Sequence, residues 1–114
     1  MTIKIIKEKI TKKELIEIGK EFFDDMIKAV VDVEKEIMAI GGELHSDAAD
    51  ILIKNNSNPA DLWGINIYFN EPREGWIEFD SLLNIKPAFG NRSMGIDNPE
   101  IREKIKEIVY RLVQ

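Results

Sequence analysis

The run "IKAVVDV", residues 27 to 33, constrains the fold more than any other stretch of the chain. β-branched residues dominate it, and Lys28, Val30 and Asp32 alternate with Ile27, Ala29, Val31 and Val33 in the period-two spacing of a strand. The apolar residues around it, Phe22, Phe23, Met26, Ile37 and Met38, would also complete one long amphipathic helix across residues 26 to 41. The alternation points instead to a hairpin, with "EKE" (34–36) as its turn and "IMAIGGELH" (37–45) as the returning strand. The glycine pair 41–42 suits a bend or bulge in that strand better than the interior of a helix.

Other segments fall into place around this hairpin. Residues 2 to 6 alternate as a first strand. Thr11 and Glu14 form a capping box, Ile10 and Leu15 can close a hydrophobic staple across it, and Leu15, Ile18, Gly19, Phe22 and Phe23 continue a helical stripe, so a helix is expected over 12–24. "ADILIKN" (49–55) reads as a short strand and "NSNPAD" (56–61) as a turn. "LWGINIYF" (62–69) reads as a strand partly buried on both faces, and "NEPREG" (70–75) breaks the chain again. In "WIEFDSLLNIKP" (76–87), Trp76, Glu78 and Asp80 alternate with Ile77, Phe79 and Ser81. Asn98 caps a last helix over 99–113, with Pro99 at its first position and Ile101, Ile105, Ile108, Val109 and Leu112 as its buried stripe. The sum is an α+β protein, one domain over 1–114. It has a largely antiparallel sheet of five to six strands with two helices packed on one face.

Composition narrows the function classes. The chain has 114 residues and no cysteine, which excludes disulfides, thiolate catalysis and iron–sulfur clusters. Its net charge of −5 repels nucleic acid and anionic lipid at long range. The first fifteen residues lack the apolar run of a signal peptide, and no segment reaches the roughly 20 apolar residues of a membrane span, so the expected location is the cytoplasm.

The blocks "AVVDVEKEIMAIGGELHSDA" (29–48), "DLWGINIYFNEPREGWIEFDSLLNIKPAFGNRSMGI" (61–96) and "IREKIKEIVYRLV" (101–113) carry a resemblance. Together they resemble a small prokaryotic family of stand-alone proteins of about this length, catalogued as a domain of unknown function. Gly-Gly-Glu-Leu-His, Asp-Leu-Trp-Gly, Trp-Ile-Glu-Phe-Asp-Ser and Gly-Asn-Arg-Ser are its most specific strings. Glu36 stands where the family's hairpin turn would have glycine. The resemblance implies a one-domain protein and transfers no catalytic residue.

Candidate sites therefore rest on side-chain chemistry. If residues 43 to 47 are a strand, Glu43, His45 and Asp47 share one face and form a ligand set for a divalent metal, which Glu78 and Asp80 would complete. The plainer reading is a polar loop with a solvated histidine. Glu78 and Asp80 beside Trp76 are the candidate acid–base pair, against the plainer reading of a solvated strand face. Asn91, Arg92 and Ser93, between Gly90 and Gly95 and ahead of the last helix, would present amides, a guanidinium and a hydroxyl to an anion, with Trp76 beside them. Asp97 at that helix end opposes an anion, and the plainer reading is a glycine-rich turn. Trp63, Tyr68, Trp76, Arg73, Lys86 and Arg92 would bind nucleic acid only if they gathered on one face, which the net charge disfavours. The favoured expectation is a non-catalytic binding module for a small anionic ligand or a protein partner, without membrane contact. A metal-dependent hydrolase or lyase and a structural homodimer are the alternatives.

Overall fold

The alternation of residues 27 to 33 is realised as the central hairpin. A computed structural model describes residues 2–114 and places five strands in one sheet: β1 (Ile3–Ile6), β2 (Ile27–Asp32), β3 (Ile37–Gly41), β4 (Leu62–Ile67) and β5 (Ile77–Glu78). Their order is β1-β3-β2-β4-β5, with every neighbouring pair antiparallel. Three helices complete the α+β fold: α1 (Lys12–Gly19), α2 (His45–Lys54) and α3 (Pro99–Leu112). No helix among the described residues is long and apolar enough to cross a membrane.

The two faces of the sheet are covered unequally. On one, Ile27, Ala29, Val31, Met38, Ile40, Trp63, Ile65 and Ile67 pack with Leu15 and Ile18 of α1 and with Ile105, Ile108, Val109 and Leu112 of α3. On the other, Val30, Ala39 and Leu62 meet Ala48, Ala49 and Leu52 of α2. Both sides of β4 are thus filled, and all six of its residues are buried, as the apolar run 62–69 requires.

The local signals explain most boundaries. Thr11 accepts from the Glu14 amide at the start of α1, 3.1 Å, and Asn98 accepts from the Glu100 amide at the start of α3, 2.9 Å, with Pro99 in the first turn. The hairpin turn is built on Asp32. Its buried carboxylate accepts from the amides of Glu34 and Lys35, at 3.0 and 2.9 Å, and from the Ser57 hydroxyl at 2.7 Å. Glu36 closes the turn at φ +58°, the left-handed region that favours glycine. Arg111 and Lys104 of α3, at 2.8 and 3.4 Å, hold its carboxylate, with Arg111 first in lowering its pKa below the usual range.

Four expectations are corrected. The first helix stops at Gly19 rather than near residue 24, where the amides of Phe22 and Phe23 turn back onto the Gly19 carbonyl. "ADILIKN" is the end of a helix, not a strand. His45, Ala48, Ala49 and Leu52 fall at i, i+3, i+4 and i+7 and form its buried stripe, which overrides the alternating Ile51 and Ile53. The third helix means that both faces of the sheet carry helices, not one. The strand starting at Trp76 reduces to two residues, since only Ile77 and Glu78 pair with β4.

Gly41 ends β3 at φ +104°, and a Cβ there would run into the Thr2 carbonyl oxygen. Gly41→Ala should therefore lower stability by about 1–3 kcal/mol from the backbone conformation alone, with the steric conflict added. Urea denaturation measures it, and a loss below about 0.5 kcal/mol would show that the β1–β3 edge relaxes freely.

Candidate functional site

The site grows from one polar residue in an otherwise apolar strand. Asn66 of β4 is 5% exposed. Register aligns it with Lys28 of β2 on one side and Glu78 of β5 on the other, on the face that carries α2. The Asn66 Nδ2 group donates to Glu78 Oε1 at 2.8 Å, and the Tyr68 hydroxyl donates to the same oxygen at 3.2 Å. The Tyr68 pKa is raised by burial first and then by the Glu78 charge. Asn66 Oδ1 is buried and has no hydrogen-bond partner among the described residues, an uncommon state for a buried polar atom.

His45, the first residue of α2, lies over β4. Its Nε2 is 2.8 Å from the Ile65 carbonyl oxygen, which can only accept, so that nitrogen carries a proton, and in the neutral ring Nδ1 is the acceptor. Burial is the main cause that pushes the imidazole pKa below 6.5, and Lys28 adds to it, while Ile65, Asn66 and Asp80 act in the opposite direction. The ring is neutral at neutral pH. Beneath it Gly64 makes room: a Cβ there would lie 2.5 Å from Ser81 Oγ and 3.2 Å from His45 Cδ2.

The opposite wall is the long connection after β5, which two buried asparagines shape. The Asn84 side chain pairs with Gly64 as a strand would, accepting from its amide at 2.8 Å and donating to its carbonyl at 3.0 Å. It also donates to the Met94 carbonyl at 2.9 Å. Asn91 donates to the carbonyls of Asn84 and Gly95, at 2.7 and 2.8 Å, and accepts from the Asp97 amide at 2.8 Å. Between this connection and α2 lies a cavity of about 450 Å³ lined by Lys28, His45, Ser46, Asn66, Asp80 and Ser81, with Leu44, Leu82, Leu83 and Met94 around them. The volume is that of a small-molecule site. Leu44, at the N-cap of α2, supplies no side-chain acceptor, so the helix opens beside the cavity without a side-chain cap. A second cavity, about 580 Å³, lies between Trp63, Phe89 and Ile101, and its charged groups are the carboxylates of Asp61 and Asp97.

The structure brings some of the expected residues together and separates others. His45 and Asp80 share the first cavity, and Glu78 adjoins it through Asn66. Glu43 is exposed in the bend before α2, and Asp47 sits in its first turn. The strand geometry that would align Glu43, His45 and Asp47 as metal ligands is overturned, because His45–Lys54 is helical. Among the described residues no group of three or more His, Asp or Glu is placed to hold a metal ion. Trp76 lies on the other face from Glu78, because its αR backbone (φ −67°, ψ −39°) breaks the alternation. Its indole donates to the Glu71 carbonyl at 2.8 Å, with the Arg73 guanidinium 4.9 Å from the ring. Trp76 therefore walls neither Asp80 nor the loop at 90–95.

In that loop Asn91 spends its amide on the backbone, Ser93 donates to Asp97 at 3.3 Å, and Gly90 takes a left-handed turn at φ +79°. Arg92 is exposed and does not line the first cavity. The aromatic and basic residues do not form one nucleic-acid face. Trp63 is buried beneath Lys86, 5.2 Å from its ring, and Arg73 is held between Trp76 and Tyr110. Lys28 and Asn66 are the site residues that sequence reading passed over. The available signal was an asparagine inside a strand apolar on both faces.

An α+β protein with a cavity between a helix start and a sheet face is thus defined, and its geometry names no reaction. The chain belongs to the family described as "Protein of unknown function (DUF5674)", which matches residues 4–112. No curated protein and no solved structure matches it.

Two outcomes follow from the geometry. The unfolded imidazole titrates near 6.5 and the folded one lower, so between those values the unfolded chain binds more protons. This contribution is complete above the unfolded value and is lost as pH falls toward the folded one. His45→Gln, whose amide can still donate to Ile65, should show a smaller drop in Tm from pH 7 to pH 5 than the parent; an equal drop would place the pH dependence elsewhere. Gly64→Ala should cost about 1–3 kcal/mol by overpacking against Ser81, measured by urea denaturation, and a neutral result would mean that the connection after β5 is not seated on β4.

Proposed function

We propose that this protein is a one-domain, cytoplasmic, non-catalytic binding module whose α2 cavity takes a small ligand through an anionic group. The observation that carries this reading is the junction of a half-buried lysine with an uncapped helix start in one cavity: Lys28, which makes no ion pair among the described residues, and the first turn of α2. Helix amides and a nearby ammonium are a fitting seat for a carboxylate or phosphate. Asp47 in the same turn does not line the cavity, whereas Lys28 does. Catalysis has less support. The Glu78 oxygen is taken by Asn66 and Tyr68, and His45 Nε2 is committed to a backbone carbonyl.

The loop at 90–95 supports an anion less well, since α3 is already capped by Asn98 and the adjoining cavity is acidic. A protein partner is the second reading, favoured by the exposed Leu44 and Leu82 at the cavity rim, 59% and 73% accessible. Such a partner would seat an acidic side chain in the same place.

The test is an amide-resolved NMR titration with 4-methylpentanoate and with inorganic phosphate. Shifts should centre on residues 44–47 and 64–66, and Lys28→Met should weaken binding roughly tenfold or more. Shifts confined to residues 90–98, abolished by Arg92→Ala, would move the anion site to the loop and sink the α2 assignment.

A further inference from the structure

The α2 cavity contains both signs of charge. Lys28 and Asp80 line it together without forming an ion pair with each other. Glu78, the other nearby carboxylate, is occupied by Asn66 and Tyr68 and does not line the cavity. From this arrangement we infer that the ligand is a free amino acid with an aliphatic side chain, bound as its zwitterion, an inference that rests on the ligand-binding reading above.

Each part of such a ligand meets a matching group. The carboxylate faces Lys28 and the uncapped start of α2. The ammonium faces the exposed carboxylate of Asp80, the acidic side chain that lines the cavity. The aliphatic body meets Leu44, Leu82 and Met94, exposed apolar side chains that line the cavity. A simple carboxylate of the same size would leave the Asp80 charge facing a second negative charge. A simple amine would set its charge against Lys28 and the positive helix end. Both mismatches set like charges against each other, and discrimination follows from that repulsion as well as from apolar fit. His45 supports the balance: as a neutral ring bonded to Ile65 it adds no third charge, so the lining charges sum to zero.

The experiment compares three isosteric probes by calorimetry and amide-resolved NMR: leucine, 4-methylpentanoate, which lacks the ammonium, and 3-methylbutylamine, which lacks the carboxylate. Leucine should bind at residues 44–47 and 64–66 roughly tenfold tighter than either analogue. Asp80→Asn should erase its advantage over 4-methylpentanoate, and Lys28→Met its advantage over the amine. Circular dichroism checks that both variants stay folded, as their partly or fully exposed positions lead one to expect. Equal binding of leucine and 4-methylpentanoate would overturn the zwitterion and leave the anion site standing. Failure of all three probes to bind would overturn the zwitterion, and with inorganic phosphate also silent at residues 44–47 it would overturn both readings.

Discussion

The pairing of the Asn84 side chain with Gly64 is the interaction on which the rest of the site depends. β5 covers only Asn66 and Ile67 of β4, so the outward amide and carbonyl of Gly64 would be left without a partner in a buried place. Asn84 supplies both, as a single side-chain amide standing in for a missing strand. Glycine at 64 is what permits Ser81 to approach closely enough for this to happen. The same contact fixes the start of the connection after β5, and with it Ser81, Leu82 and Leu83 on the wall opposite α2. Asn91 then ties the far end of that connection to its beginning.

A cross-strand row gives the site its electrostatic character. Lys28, Asn66 and Glu78 stand on three adjacent strands, so a cation, an amide and an anion are spaced across the sheet with the amide between them. The amide is polarised by its bond to Glu78, and one oxygen remains unmatched. A buried acceptor without a donor costs the folded state stability. The hairpin shows a different balance at Glu36, where a left-handed backbone is accepted by a residue whose carboxylate reaches α3.

Much of this was legible in the sequence, for identifiable reasons. The hairpin was fixed by β-branched alternation, the starts of α1 and α3 by side-chain caps, and the double burial of β4 by an unbroken apolar run. The family blocks also pointed to the glycine-like position at 36, which proves to have positive φ. α2 was misread because Ile51 and Ile53 mimic a strand, while the decisive Ala48 and Ala49 bury too little area to stand out. That error carried the metal set with it, since a shift from period two to period 3.6 moves Glu43, His45 and Asp47 off a common face. The pairing of His45 with Asp80 across a cavity, and the roles of Lys28 and Asn84, depend on long-range register that no local pattern encodes.

The unequal covering of the sheet has a dynamic consequence. α1 and α3 share a cluster of twenty buried residues, whereas α2 is held by six, three of them alanines. Local opening proceeds in cooperative units, so α2 can open separately from the cluster that α1 and α3 share. The wall carrying His45 and Ser46 thus belongs to the smaller of the two layers. Lifting of that one ten-residue helix would leave in place the strands that carry Lys28 and Asn66.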